Sequence, residues 1–355
     1  MSYILSSDWH CHAWTQFAKT NEDGLNDRLG HILHEIERQA ITANAGNINR
    51  IFCAGDVFHV RGSIKPTVFN PVAAQLNRCV QRYGVEFVLI PGNHDLEGAE
   101  TDELSSAITS LATIPGVIVV NEPTVFEEER VVMVPWHNTR EGLLEAIDSA
   151  DMDGKRGDYD LILHTGINGV IVGMPHHAWA ASELAALGFG RVFCGHYHHH
   201  VVFEETHEGY PVTVTSIGAL THQTWGDVGT KAGFMVVTSE DAQHCPSEAP
   251  EFVALDEGFD VADAKGNYVR VKGIEMTHEE IAPLREALFA EGAKGVIIDP
   301  LVKTEVTRDG VSSEGAEGIR VEGQIEDYAV ERYGDLAEAI SRKSIEVLND
   351  VRSVK

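Results

Sequence analysis

Residues 87–95 read Phe-Val-Leu-Ile-Pro-Gly-Asn-His-Asp, and the predicted fold class rests on them. The apolar run is typical of a buried strand, and the glycine after it allows a sharp backbone turn. The turn delivers an amide, an imidazole and a carboxylate, those of Asn93, His94 and Asp95, to one edge of a sheet. Polar groups of this kind are costly in a core unless they are paired. We therefore predict a functional site where this strand ends.

Four other polar clusters follow apolar runs in the same way. They are Asp8-Trp9-His10, Gly55-Asp56, His164 and Gly195-His196-Tyr197-His198. Each cluster alone has a simpler explanation, such as a surface pair, turn chemistry or a core histidine with a hydrogen-bond partner. Five together, each at the end of an apolar run, favour a metal centre at the carboxyl edge of an α/β sheet.

The residue types predict two metals rather than one. Asp8 and His10 are two positions apart, so in an extended strand they share a face, and His196 and His198 repeat this spacing. The seven candidate ligands are Asp8, His10, Asp56, Asn93, His164, His196 and His198. Carboxylate with imidazole suits manganese, iron or zinc. Seven ligands suit two metals that share a carboxylate, and such a pair can activate water and clamp a phosphate.

The two remaining residues of the 92–95 turn have predicted catalytic parts. His94 is next to Asn93 and is not needed as a ligand, so it is placed to protonate the leaving oxygen. Asp95 is predicted to orient the His94 ring. His199 and His200, although they continue a histidine run, are given no catalytic role.

The composition is that of an ordinary globular chain of 355 residues, 43% hydrophobic and 23% charged. This length allows one large domain and a smaller one. Five scattered cysteines without a CxxC pair exclude a disulfide framework and a zinc–thiolate site. No apolar run is long enough to cross a bilayer, and the first residues lack the features of a secretory signal, so we expect no membrane contact and a cytoplasmic location.

The net charge of −28 argues against a nucleic-acid partner, because phosphate contacts rest on Lys and Arg. Bound divalent cations would offset part of that charge where a phosphate must bind. The remaining acidic surplus must be solvated or must face a basic partner.

A β-α-β-α-β rhythm at the start of the chain predicts a layered α/β fold. Helices are expected at 24–44, from Pro66 to a cap at Gly84, and at 103–113, 140–149, 178–187, 278–291 and 327–349. The polar stretch 239–251 is predicted to be a linker or domain edge, and 307–319 a mobile loop. We expect two domains, 1–245 with the metal centre and an α+β capping domain at 246–355 that ends in a helix.

The five clusters in this order resemble the signature of the calcineurin-like metallophosphoesterases, over about residues 1–240. The resemblance implies a two-sheet α/β/β/α sandwich with two divalent metals, commonly Mn²⁺. It also implies one metal on Asp8, His10 and His198, and the other on Asn93, His164 and His196. Asp56 would bridge the two metals, and His94 would act on the leaving group.

A narrower resemblance rests on Gly55-Asp56-Val57-Phe58-His59-Val60-Arg61, which is similar to a segment of SbcD-type nucleases and of bacteriophage recombination nucleases. It implies that His59 assists exonuclease action, although a polar residue at a helix start is an equal explanation. It further implies DNA ends as substrate in repair and recombination and an SMC-like SbcC-type ATPase as partner, and it allows a homodimer.

Three functions follow from these observations. The first is a metal-dependent DNA nuclease, a 3′-to-5′ exonuclease with endonuclease action on single strands. The second is a phosphatase or small-molecule phosphodiesterase on the same centre, which the acidic charge favours. The third is a scaffold that has kept the fold without the chemistry, and the complete set of ligands argues against it.

Overall fold

The computed structural model describes residues 2–98, 101, 104–171, 178–302 and 321–353. The loop predicted at 307–319 lies outside the described residues. Two compact units are present, residues 1–303 and 304–355. The predicted domain boundary at 245/246 falls inside the first unit and stays a prediction.

Seven α-helices are found in the described parts of the chain. They are α1 Asp27–Ala45, α2 Pro66–Tyr83, α3 Arg140–Ser149, α4 Ala181–Ala185, α5 His278–Glu291, α6 Val321–Tyr333 and α7 Ala337–Ser353. None of them combines the length and the apolar character that crossing a bilayer requires.

The described residues of the first unit form three sheets. The first has the order β12-β11-β1-β2-β3-β4, the second β5-β6-β7-β8-β10-β9 and the third β13-β14-β15. The strands are β1 Ser2–Ser6, β2 Arg50–Cys53, β3 Glu86–Leu89, β4 Val117–Val119, β5 Thr124–Phe126, β6 Val131–Val134, β7 Asp160–His164, β8 Arg191–Gly195, β9 Val201–His207, β10 Tyr210–Ser216, β11 Gly233–Thr238, β12 Ala242–Pro246, β13 Phe252–Leu255, β14 Tyr268–Met276 and β15 Gly295–Val302.

The two large sheets pack face to face with helices outside them. Successive residues of a strand face opposite sides of its sheet. Leu5 and Phe52 lie in the core between the two sheets, together with Ile162 and Phe193 of the second sheet. Their strand neighbours, such as Ile4, pack instead against α1 and α2. The second sheet packs its other face against α3 and α4 in the same way. Both faces of the central strands are therefore buried, as in parallel sheets generally, and the predicted α/β/β/α sandwich is confirmed.

Local signals fix the helix ends near the site. The Asn26 side chain accepts a hydrogen bond from the Leu29 amide at 3.0 Å and begins α1. Pro66 begins α2, and Gly84, with φ +67°, ends it. The predictions for α3 and α5 are confirmed residue for residue.

Four element predictions need correction. The helix expected at 178–187 is shorter and spans only Ala181–Ala185. The supposed linker at 239–251 contains β12, which pairs with β11 at the edge of the first sheet. An edge strand tolerates polar residues and a proline, so its sequence resembles a loop. The predicted helix at 327–349 is two helices, interrupted at Gly334, where φ is +49°. The helix expected at 103–113 is reduced, in its described part, to a 3₁₀ turn at Thr109–Thr113.

The third sheet is fully parallel and carries α5 between β14 and β15. It packs on the sandwich through aromatic rings: Phe17 stacks on Tyr268 with ring centroids 5.3 Å apart and planes 9° from parallel. The Arg28 guanidinium of α1 lies 5.1 Å from the Phe252 ring centroid. The strands β14 and β15 with α5 between them thus form a β-α-β unit, extended by β13.

A buried carboxylate of the second sheet hydrogen-bonds to the first sheet and pairs with an arginine of its own sheet. The Asp160 carboxylate of β7 accepts hydrogen bonds from Tyr3 Oη of β1 at 2.7 Å and from Arg191 Nε at 2.8 Å. We expect Asp160→Asn to lower the free energy of unfolding by about 2–3 kcal/mol, because it leaves a half-buried guanidinium without its anion. Tyr3→Phe, which removes one hydrogen bond, should cost about 1 kcal/mol. Urea unfolding of both variants measures this, and equal losses would contradict it.

Candidate metal centre

The carboxyl ends of strands from both sheets meet at one edge of the sandwich. Asp8 follows β1, Asp56 follows β2 and Asn93 follows β3, while His164 ends β7 and His196 follows β8. The registers align these ends, since Ser6 pairs with Cys53 and His164 with Gly195. Because these neighbouring strands are parallel, the residues that follow them meet in one cluster although they come from five separate stretches of sequence.

Asp8, His10 and His198 form the first group. Each offers one ligand atom, and the three atoms lie within 4.8 Å of one another. Nε2 of His10 lies 3.2 Å from Nε2 of His198 and 3.7 Å from Oδ1 of Asp8. Two imidazole nitrogens and a carboxylate oxygen thus face a common point.

Asp56, His164 and His196 form the second group, with ligand atoms within the same 4.8 Å limit. Asn93 completes it, because its Oδ1 lies 3.1 Å from Nε2 of His164 and 3.0 Å from Nδ1 of His196. The other ring nitrogen of His164, Nδ1, lies 2.7 Å from the carbonyl oxygen of Ala54. Since a carbonyl only accepts, Nδ1 donates and Nε2 is left to face the site.

The Asp56 carboxylate stands between the two groups. Its Oδ2 lies 3.5 Å from Nε2 of His10 and 3.4 Å from Nε2 of His164. The side chain is buried. A carboxylate in this position could coordinate two cations at once.

The loops that carry the cluster have unusual backbone conformations. Asp8, His10, Asp56 and His196 all have positive φ, between +43° and +95°. Such conformations cost about 1–3 kcal/mol each, and they persist where the surrounding structure enforces them, often at functional sites. Gly92 is required for another reason: a Cβ there would overlap the Asp56 carboxylate.

The electrostatics of the cluster favour a cation. Burial by itself would lower the pKa of His164, but the Asp56 carboxylate outweighs it and raises that pKa to about 9. Burial would likewise raise the pKa of Asp56, yet the rings of His164 and His10 hold it well below its ordinary value. Burial lowers the pKa of His196 to about 4. The pocket therefore keeps its carboxylate ionised and attracts positive charge.

One buried atom shows that the donor set fits a metal. Oδ1 of Asp8 is buried without a hydrogen-bond partner among the described residues, whereas Oδ2 accepts from the His196 amide at 2.9 Å. An ionised oxygen is costly to bury unless it is compensated. A divalent cation held by carboxylate and imidazole would compensate it.

His94 lies beside the first group but is held differently from the prediction. Its ring centroid is 4.8 Å from that of His10, and its Nδ1 lies 2.6 Å from the carbonyl oxygen of His59. The prediction that Asp95 orients this ring is wrong. The Asp95 carboxylate instead accepts from the backbone amides of Val57, Phe58 and Gly92, at 2.8–3.1 Å. Its buried carboxylate fixes the loop after β2 to the loop after β3.

His59 is brought into the cluster as well. Its ring stacks on His94, with centroids 5.4 Å apart and planes 16° from parallel. Its Nδ1 lies 3.3 Å from Nδ1 of His10. The structure thus brings the ten residues predicted for the site to one edge, where Asp95 binds backbone amides instead of the His94 ring.

Asp227 was missed by the sequence analysis. Its Oδ1 lies 2.8 Å from Nδ1 of His198, and its Oδ2 accepts from the amides of Gln223 and Thr224. The Gln223 side chain in turn donates to the carbonyl oxygen of Asp8 at 3.0 Å. No apolar run precedes Asp227, so the strand-end pattern that found the others does not apply to it.

Asp227→Asn is expected to weaken binding of metal at the first group by about 10–100-fold, because the carboxylate orients the His198 ring. Titration with Mn²⁺ followed by equilibrium dialysis should then show one site weakened and the other retained. Thr224→Ala, which keeps this carboxylate, is the matched control. Unchanged affinity at both sites in Asp227→Asn would contradict the positioning role.

Comparison with known families decides the class. Residues 1–200 match the calcineurin-like phosphoesterase family. The chain belongs to this family. Calcineurin-like phosphoesterases use a dinuclear divalent metal centre, and the groups around Asp56 are candidates for its ligands. The protein is therefore a metal-dependent phosphoester hydrolase.

None of the curated proteins compared with the sequence matches it. Among solved structures, a dimetal phosphatase from Danio rerio is similar over 66% of this chain and 91% of its own, at 10% sequence identity and a TM-score of 0.40.

Proposed function

We propose that this calcineurin-like phosphoesterase hydrolyses DNA phosphodiesters, as a 3′-to-5′ exonuclease and single-strand endonuclease of the SbcD type in DNA repair or recombination. We further propose that it acts in the cytoplasm with an SMC-like SbcC-type ATPase. The observation that carries the proposal is His59, which stacks on His94 and contacts His10 within the segment 55–61 that resembles those nucleases.

The proposed ligand set follows the two groups of side chains. Asp8, His10 and His198 would hold one metal, and Asn93, His164 and His196 would hold the other, with Asp56 shared. We propose Mn²⁺ for both positions, because mixed carboxylate, imidazole and amide ligands suit it. When bound, such a pair supplies positive charge for the phosphate oxygens and lowers the pKa of a water molecule.

The protein's own groups then position the substrate and move its proton. The Nδ1–H of His94 donates to the His59 carbonyl oxygen, which leaves Nε2 to exchange a proton with the substrate. In the imidazolium form Nε2–H protonates the leaving 3′ or 5′ oxygen as the P–O bond breaks. The His59 ring stacked beside it limits how far the His94 ring can rotate.

One assay separates this proposal from its alternative. Purified protein with Mn²⁺ is offered end-labelled duplex DNA, circular single-stranded DNA, bis-p-nitrophenyl phosphate and p-nitrophenyl phosphate. Degradation of both DNA substrates supports the proposal. Turnover of the small esters alone would contradict it.

The second candidate is a phosphatase or small-molecule phosphodiesterase on the same centre. The observation that favours it is the net charge of −28, which opposes a polyanionic substrate. The two candidates differ in salt dependence: a DNA substrate held by several cationic contacts loses affinity steeply as salt rises, whereas a small ester does not.

His59→Ala is expected to lower exonuclease activity on duplex DNA about tenfold more than it lowers hydrolysis of bis-p-nitrophenyl phosphate. A contact worth about 1.4 kcal/mol that only the larger substrate uses gives a difference of this size. Parallel kcat/KM measurements on the two substrates test this. His199→Ala, a change in the neighbouring histidine run, is the control, and equal losses on both substrates in His59→Ala would contradict a role specific to DNA.

A further inference from the structure

A recess opens beside the second group of candidate ligands. Its volume is about 220 Å³. The residues that matter in its wall are Trp136, Thr165, Gly166, Trp179, His196 and Tyr197. We call it the Trp136 recess. It shares His196 with the candidate metal centre, so whatever lies in it lies next to a phosphate bound there.

Trp136 is held at the same sheet edge as the ligands. It follows β6, the neighbour of β7, and its amide donates to the carbonyl oxygen of Pro91 at 3.1 Å. The carbonyl oxygen of Trp136 accepts from Thr101 Oγ1 at 2.7 Å. The indole ring centroid lies 5.4 Å from the His196 ring and 5.9 Å from the His164 ring. The Trp136 ring is thus fixed with its centroid 5.4 and 5.9 Å from the rings of two candidate ligands.

The other walls are also aromatic and closely packed. Tyr197 stacks on His196 with centroids 5.1 Å apart, and a Cβ on Gly166 would lie 2.7 Å from its Cζ. Trp179 is buried under the Arg140 guanidinium, 4.1 Å from the ring centroid. Arg140 is paired with Glu183 at 2.5 Å. The rings are therefore held in place by close contacts, and the cation among them is already neutralised.

The charge of the wall differs from that of the chain as a whole. Asp and Glu number 55 in the sequence, yet none of the described residues that line the recess is acidic. A planar, neutral group attached to a phosphate would meet aromatic faces here without facing a carboxylate. Recesses for drug-sized ligands measure roughly 300–1,000 Å³, so this smaller one suits a single ring system.

We propose that the Trp136 recess binds the base of the nucleotide whose phosphate lies at the metal centre. The inference rests on the proposed function and adds a base-binding subsite to it. Stacking on aromatic side chains tolerates all four bases, because each base presents a π face. A substrate without a base would leave these rings unused.

The test is equilibrium binding of two probes that carry the same phosphate. Isothermal titration compares deoxyadenosine 5′-monophosphate with deoxyribose 5-phosphate, in the wild type and in Trp136→Ala, Trp136→Phe and Tyr210→Ala. We expect the wild type to favour the nucleotide by about 5–150-fold, the range that one stacked base supplies. Trp136→Ala should remove that preference without changing affinity for deoxyribose 5-phosphate, and Trp136→Phe should restore much of it. Tyr210, an exposed residue of β10, is the control.

Equal affinity of the wild type for the two probes would overturn the inference, and so would a Trp136→Ala variant that loses both equally. These outcomes are separable from failure of the proposed function. A base preference that depends on Trp136, together with no hydrolysis of DNA, would support the base-binding subsite and indicate a mononucleotide as the substrate in place of DNA. Hydrolysis of DNA without a base preference would support the nuclease function and contradict the base-binding role of the recess.

Discussion

Replacing Asp56 with Asn is expected to lower phosphodiester hydrolysis by about 10³-fold or more and to reduce the metal content at both positions. The carboxylate lies within 3.5 Å of ring nitrogens in each group, so its charge is shared by both. A bound metal supplies several kcal/mol of transition-state stabilisation, which corresponds to a loss of this size. The backbone should survive, because Asn keeps an oxygen for the His94 amide that now donates to Oδ1 at 2.8 Å.

Metal analysis by mass spectrometry, together with kcat on bis-p-nitrophenyl phosphate, measures this effect. His199→Ala is the matched control, since it removes a nearby histidine that has no place in the ligand set. Thermal unfolding verifies that each variant is folded. Full metal content in Asp56→Asn, or equal metal loss in the two variants, would show that the ligand assignment is misplaced.

His94→Ala should lower kcat on DNA by about 10²–10⁴-fold while both metals stay bound. This is the usual contribution of a positioned general acid. The loss should depend on the leaving group: p-nitrophenolate departs without a proton, so hydrolysis of bis-p-nitrophenyl phosphate should fall much less. The comparison of the two substrates measures proton donation apart from metal binding.

The variant His59→Ala is the matched control, because it keeps the backbone carbonyl that hydrogen-bonds to the His94 ring. It should therefore spare the p-nitrophenyl substrate. Equal losses of His94→Ala on both substrates, or a loss of metal, would mean that His94 is a ligand rather than an acid.

The strand-end residues could be predicted because the fold places them by a simple rule. Apolar runs such as 87–91 must be buried, parallel strands align their carboxyl ends, and polar residues directly after the runs therefore meet. This reasoning found Asp8, Asp56 and His164, which are separated by up to 156 positions in the chain but gathered at one edge. The same rule extends to Trp136, which follows the apolar run of β6.

Two kinds of contact could not be predicted from the sequence. They are contacts made from loops, and contacts for which several hydrogen-bond partners compete. Asp227 reaches His198 from a loop without an apolar strand before it. Asp95 was paired with His94 because they are neighbours in sequence, but three backbone amides bind its carboxylate instead. The edge strand β12 and the break at Gly334 were missed because polar edge strands resemble loops and a single glycine is a weak helix-breaking signal.

The most direct test is crystallographic. Crystals grown with Mn²⁺ and measured on both sides of the manganese absorption edge should give two anomalous peaks about 3.5–4 Å apart, the usual separation in two-metal sites. One peak should lie among Asp8, His10 and His198 and the other among Asn93, His164 and His196, with Asp56 between them. A single peak elsewhere, or no peak within this cluster, would contradict a dinuclear centre built from these residues.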